Sequence, residues 1–292
     1  MDGWTLENSR WRVRVAAQGA ELCEWWDKTR RSNRLWQPQA GVWNSSATQL
    51  FPVVGRLVHN GLRHQGAFWS LPAHGFLRHQ RFHLVEQSSV SLRLACEDSD
   101  DTRQIWPFRW RVTLCWTLAE RGLEVSWQVE NLDARRLPFA LGWHPGFALP
   151  VASEPGWQVR FSAPVDGPFP TEERTLRLPP LPAQSTVFPL DNNAFAAGAV
   201  YFATPGGVEV NVRSPTGRVA LRLHSPDTEW LALWGVPGAD LLCIEPLTST
   251  TDDPDFDGEV AFKRGMRWLA PGELYQQAVS VILAQDAEEI DG

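Results

Sequence analysis

Apolar and polar residues alternate with a period of two over much of this chain. In "SVSLRLACE", Val90, Leu92, Leu94 and Cys96 fall on one side and Ser91 and Arg93 on the other, the spacing of a strand with one face in a core. Trp110, Val112, Leu114, Trp116 and Leu118 then alternate with Arg111, Thr113 and Thr117; "AERG" follows, and Leu123, Val125, Trp127 and Val129 alternate with Glu124, Ser126, Gln128 and Glu130. Two alternating runs around a short turn predict an antiparallel hairpin. A second hairpin is predicted from Val208, Val210 and Val212, a turn at "SPTG", and Val219, Leu221 and Leu223. The stretch "LYQQAVSVIL" reads as a closing strand.

No convincing amphipathic helix interrupts these strands, and 22 Gly and 22 Pro divide the chain into short segments. The pattern predicts an all-β fold, a large antiparallel β-sandwich with its function on one face or rim. The Pro-rich stretch 164–189 reads as a long connection without a clear period. Strands continue beyond it, so residues 1–292 are expected to form a single domain.

Composition narrows the class. With 43% apolar and 21% charged residues the chain has ordinary globular values, and no apolar run is long enough to span a bilayer. The first residues, "MDGWTLENSRWRVRV", lack the basic start, apolar stretch and cleavage site of an export signal, so a cytoplasmic location and no membrane partner are expected. A net charge of -7 with scattered basic residues argues against a nucleic-acid partner. Cys23, Cys96, Cys115 and Cys243 form no C-x-x-C pair and read as reduced thiols. The 16 Trp suit a core, although Trp also provides flat platforms for sugar faces.

Two metal readings fail on spacing. Five of the seven His fall between residues 59 and 83, but His79 and His83 would converge only on a helix, and "RFHLVEQSSVSL" reads as a strand with its lead-in. The loop "DPDFDG", Asp253 to Gly258, opens like a calcium loop but has Arg264 where the twelfth-position Glu is required. Neither a metal nor a cofactor is expected. Four segments place a titratable or cationic side chain among apolar residues beside Gly or Pro: "FPVVGRL" with Arg56, "LPAHGFLR" with His74 and Arg78, "GWHPGF" with His144, and "DLLCIEP" with Glu245. Glu245 follows an apolar run suited to a buried strand, where a carboxylate is costly unless paired, hydrogen-bonded or functional.

Together, in this order, the four segments resemble the aldose 1-epimerase (galactose mutarotase) family, especially its shorter bacterial branch. The resemblance extends from about "GVWNSSATQLFPVVGRL" to "LAPGELYQQAVSV". It implies the large antiparallel sandwich of the mutarotases and a small-molecule sugar as partner. It also implies Glu245 as general base, His144 as general acid, and His74 and Arg56 as sugar-binding residues. Ring opening removes a proton from the C1 hydroxyl and delivers one to the ring oxygen, which one base and one acid accomplish. An imidazolium acid at neutral pH leads to the expectation that nearby negative charge holds the His144 pKa near or above its free value. Gly142 and Gly146 are expected to let backbone and sugar approach, with Trp143 or Phe147 beneath the imidazole.

Where related sequences tend to carry another acid before an "AVYF"-like strand, this chain has Gly198. Asp191, the only acid in "LDNNAFAAGAVYF", becomes a substrate-binding candidate, and Arg78 is either a substrate contact or a rim residue. The expected substrate is a free hexose such as galactose or glucose. A hexose-phosphate substrate is an alternative for which Arg56, Arg78 and Arg81 could supply cations. A non-catalytic sugar-binding or regulatory module on the same fold is a third, which retention of both Glu245 and His144 disfavours.

Overall fold

A computed structural model describes residues 2–179, 183–191 and 193–284. The all-β expectation holds: the strands form antiparallel sheets, and the only α-helix among the described residues is Asp100–Ile105. A four-stranded sheet covers the N-terminal strands Gly3–Glu7, Trp11–Ala16, Leu22–Asp27 and Ser32–Asn33. A sheet of 15 strands carries most of the rest, with Ala47–Leu50 at one end and His83–Gln87 at the other, and two small pairs remain, Gly61–His64 with Ala67–Ser70 and Leu137–Phe139 with Arg267–Leu269.

The alternation fixes which face each strand buries. Trp110–Leu118 pairs with Gly122–Asn131 in the predicted hairpin register, Trp116 opposite Val125 and Leu114 opposite Trp127. All the apolar residues of both runs are at most 4% exposed. The two halves of the large sheet meet through tryptophans: Trp143, from the strand Gly142–Ala148, packs edge-on against Trp116 at 5.9 Å and tilted against Trp127 at 6.1 Å between ring centroids. The Trp127 indole N–H donates to Gln49 Oε1 at 2.8 Å, so this buried amide is paired. Seven tryptophans are less than 2% exposed, which supports the core reading for these residues.

Two local expectations need correction. The stretch 164–189, of which residues 180–182 lie outside the described residues, is more than a connection, because Trp157–Glu172 is one long strand and Gln184–Leu190 pairs back along it. Irregular register between Arg160 and Val165, and again between Asp166 and Phe169, hides the period there, as bulges and prolines do when they re-aim a strand. The helix Asp100–Ile105 was not predicted. Its start is set by a capping box in which the Ser99 hydroxyl accepts from Thr102 N–H and the Thr102 hydroxyl accepts from Ser99 N–H.

Candidate active site

His144 and Glu245 lie on adjacent antiparallel strands, Gly142–Ala148 and Leu241–Leu247. The register that sets Gly142 against Leu247 and Gly146 against Cys243 places His144 directly opposite Glu245. Directly opposed residues share a face with their Cβ atoms close together, and the His144 Nε2 to Glu245 Oε1 distance is 3.4 Å. Neighbouring strands extend the row. Thr48 is opposite His144 on one side, Ala232 is opposite Glu245 on the other, and Tyr201 lies opposite Ala232. A small alanine in that row leaves room above it, and the Tyr201 phenol lines the same cavity as the pair.

This cavity of about 350 Å³ also takes in Trp43, Gly55, Arg56, His74, Thr171, Arg174, Gly198, Trp234 and Thr251. Four of the six sequence candidates therefore converge: Glu245, His144, His74 and Arg56. The other two stand elsewhere. Asp191 lines a separate small cavity, and its Oδ1 accepts from Asn193 N–H at 2.8 Å. Arg78 does not line this cavity; its Nη2 donates to the carbonyl of Ala73, a lining residue, at 2.9 Å, and its charge is felt at His144 and His74. Arg81 is engaged at the surface by Asp2 at 3.0 Å.

The surroundings of His144 correct two further expectations. Period two sends Trp143 and Phe147 to the opposite face, so the ring against the imidazole is Trp43, stacked at 4.8 Å and 26°, with Trp234 edge-on at 5.7 Å. Gly146 admits Trp43, since a Cβ there would stand 2.7 Å from the indole, and Gly142 accommodates the Leu247 and Leu50 side chains rather than a sugar. The charge expectation reverses as well. Burial pushes the His144 pKa well below the usual imidazole value, and the neighbouring His74 and Arg78 push it the same way. Burial raises Glu245 to about 8.

Their separation would suit an ion pair, yet both groups are largely removed from water, and no described residue donates a hydrogen bond to the carboxylate. Desolvating two ions then costs more than a contact this loose returns. At neutral pH the pair is a carboxylic acid beside a neutral imidazole, with one transferable proton between them. Tyr201 is held as the neutral phenol, its pKa raised by burial and then by Glu245.

His74 is fixed by its backbone. It has φ +64 and Gly75 has φ +69. His74 N–H donates to Gly55 O at 2.9 Å, and Gly55 N–H donates to His74 Nδ1 at 3.2 Å, which leaves the remaining ring nitrogen for a ligand. Burial, then Arg78, lowers the His74 pKa to about 4, so the ring is neutral. Left-handed backbone at a cavity wall is a strained element held by its surroundings. Gly75→Ala would bring a Cβ to 2.1 Å from Phe51 O, and the left-handed conformation alone costs an alanine ~1–2 kcal/mol. The expected result is a lower melting temperature together with a raised KM as His74 is displaced; an unchanged thermal melt would contradict this account.

Thr251 organises the opposite rim. Its hydroxyl accepts from Arg56 N–H at 3.1 Å and lies 2.7 Å from the Arg174 carbonyl, to which it donates. Among the described residues no group of three or more His, Cys, Asp or Glu side chains converges on a metal-sized point. In the loop 253–258, Asp253 is held by Arg264 and Asp257 Oδ1 accepts from Glu259 N–H. No helix among the described residues is long and apolar enough to cross a membrane. Trp43, Trp234, Tyr201, Thr251 and Arg174 carried no distinguishing sequence signal; only the register and the loop contacts bring them to the site.

A match to the aldose 1-epimerase family runs over residues 2–234, most of the chain. The chain belongs to that family. The matched span includes Arg56, His74 and His144, and Glu245 lies beyond it. Similar structures are a galactose mutarotase related enzyme from Lactobacillus acidophilus, with a TM-score of 0.90 at 24% identity covering 99% of this chain and 100% of that one, and a galactose mutarotase-like protein from Lactobacillus casei ATCC 334, with a TM-score of 0.86 at 24% identity covering 97% and 100%. Protein LacX of Lactococcus lactis subsp. lactis is 24% identical over 261 residues, 82% of this chain and 86% of that protein. At these identities the structural matches establish the mutarotase-like fold.

Proposed function

We propose that this aldose 1-epimerase family member interconverts the α and β anomers of a hexose, with Glu245 and His144 as its proton-transferring pair. The observation that carries the reading is a buried carboxylate and imidazole 3.4 Å apart at one cavity. The two oxygens that exchange protons in ring opening, O1 and O5, are both bonded to C1, so two adjacent groups can each reach one of them. Base and acid roles are distributed by where the single proton sits. Passing it from Glu245 to His144 gives the carboxylate base and imidazolium acid of the family resemblance. The carboxylate takes the O1 proton, the imidazolium gives its proton to O5, the C1–O5 bond breaks and C1=O1 forms. After rotation about C1–C2, O5 adds to the other face of the aldehyde and both protons return, so the pair again holds one. His74 and the Trp43 and Trp234 rings orient the sugar at C1, and Arg56 binds it from the rim.

Polarimetry or NMR on freshly dissolved α-D-galactose and α-D-glucose tests the reaction. Acceleration of the approach to anomeric equilibrium is expected, and binding without acceleration would favour a non-catalytic module instead. The proton count also sets a pH profile. Above about 8, Glu245 loses the only proton, leaving a carboxylate and a neutral imidazole with no acid. A second proton enters only well below 6.5, because His144 is depressed. The expected kcat/KM is flat through pH 6.5 to 7.5 and falls about tenfold per pH unit well above 8; a limb centred on the ordinary imidazole value would refute this proton assignment.

A further inference from the structure

The cavity couples a buried reacting pair to an exposed rim that carries two arginines, more cationic charge than the binding of a neutral sugar requires. His144 and Glu245 are buried, whereas Arg56 and Arg174 are exposed on the same cavity. Their main chains are both tied to the buried Thr251 hydroxyl, so one side chain anchors both arginines to a common edge. Neither guanidinium is paired with an acid among the described residues. Arg56 Nη1 reaches only the Glu173 carbonyl, at 3.3 Å, and the Arg174 side chain makes no hydrogen bond or ion pair among the described residues. The nearby acid Glu172 is taken by Arg177 at 2.7 Å.

Among the described residues Glu245 is the only carboxylate that lines the cavity, and it is uncharged at neutral pH. Gly198 stands on the wall facing Thr171, with no side chain to fill the space or add negative charge. On a chain of net charge -7, two free arginines at the mouth of such a cavity form a local anion-attracting spot.

We infer that Arg56 and Arg174 form a clamp for a phosphate monoester on the substrate, making a hexose 6-phosphate its preferred class. Resting on the mutarotase reading, this deepens it. The reacting carbon must enter as far as Glu245, so the anionic group belongs at the other end of the carbon chain, on C6. A phosphate has enough terminal oxygens to serve two forked guanidinium groups at once, which a single carboxylate does less well.

The test combines turnover with binding that requires no turnover. Wild-type and Arg174→Gln proteins are assayed for mutarotation of glucose 6-phosphate, galactose 6-phosphate, glucuronate and the free hexoses. By calorimetry, each is also titrated with 1,5-anhydroglucitol 6-phosphate, which cannot ring-open, and with unphosphorylated 1,5-anhydroglucitol. The expected result is a kcat/KM for a 6-phosphate well above that of its free hexose, with the preference largely lost in Arg174→Gln through KM. The phosphorylated analogue should bind about 10- to 100-fold more weakly to the variant. Arg56→Gln should act in the same direction. Equal affinity of the wild type for the two analogues, or loss of affinity for both in equal measure in Arg174→Gln, would overturn the clamp. A preference for glucuronate over both phosphates would overturn the assignment to phosphate. If no sugar is turned over but the phosphorylated analogue binds in an Arg174-dependent way, the clamp stands and the reaction proposed above falls.

Discussion

Replacing Glu245 with Gln is expected to lower kcat for anomer interconversion by roughly 10²- to 10⁴-fold, the contribution of one positioned proton-transfer group. The amide preserves size and polarity in a site where the carboxyl is only 4% exposed, so the change removes the transferable proton more than the shape. Binding of a non-opening analogue should survive, which separates loss of chemistry from loss of the cavity. His144→Asn should fall as far, and the double variant little further, because the two residues act as one proton-carrying unit and their losses do not add. Full additivity in the double variant would mean that each group works alone.

Stability gives an independent check on the same carboxyl. A folded-state pKa raised to about 8 means that Glu245 binds its proton more tightly folded than unfolded. Its stability contribution is fully present below the unfolded value near 4.5 and declines as pH rises from there through about 8. Glu245→Gln removes that dependence, so the variant should gain melting temperature over wild type on going from pH 6 to pH 9. A retained wild-type pH dependence would show that the carboxyl is ionised in the fold at ordinary pH.

Much of this site was legible as residue types and little of it as geometry. His144 and Glu245 stand out because each precedes a proline inside an apolar run, where a titratable side chain is expensive. Their contact arises from a strand register, Gly142 against Leu247, that no local pattern specifies. Trp43 and Trp234 look like any of the 16 tryptophans in the sequence, and only the fold separates these wall residues from core residues such as Trp116. Arg174 sits in a turn within the stretch that appeared featureless, because bulges and prolines there erase the period-two signal. The direction of the His144 shift was misjudged for a related reason: a sequence does not reveal depth of burial, and here burial dominates, with His74 and Arg78 pushing the same way.

The second large effect lies beneath the site. Lys263→Met is expected to destabilise the protein by ~3–5 kcal/mol, the cost of stranding one member of a buried ion pair. Lys263 and Asp252 have side chains 1% exposed, and Lys263 Nζ donates to Asp252 Oδ1 at 2.8 Å and to Thr250 O at 2.9 Å. Asp252 is also a tether. Its Oδ2 accepts from Val58 N–H at 2.9 Å, its N–H donates to Arg56 O at 3.1 Å, and its carbonyl accepts from Leu176 N–H at 2.9 Å. One residue thus ties the Arg56 segment and the strand after Arg174 to the loop that carries Thr251. Without Lys263 the stranded carboxylate must protonate or reach water, and either response loosens that rim. A lower denaturant midpoint should therefore accompany a raised KM. Neutralising the orphan in Asp252→Asn/Lys263→Met should recover much of the stability, since the asparagine oxygen can still accept from Val58. A double variant no more stable than Lys263→Met would show that the loss comes from packing around the lysine stem rather than from the stranded charge.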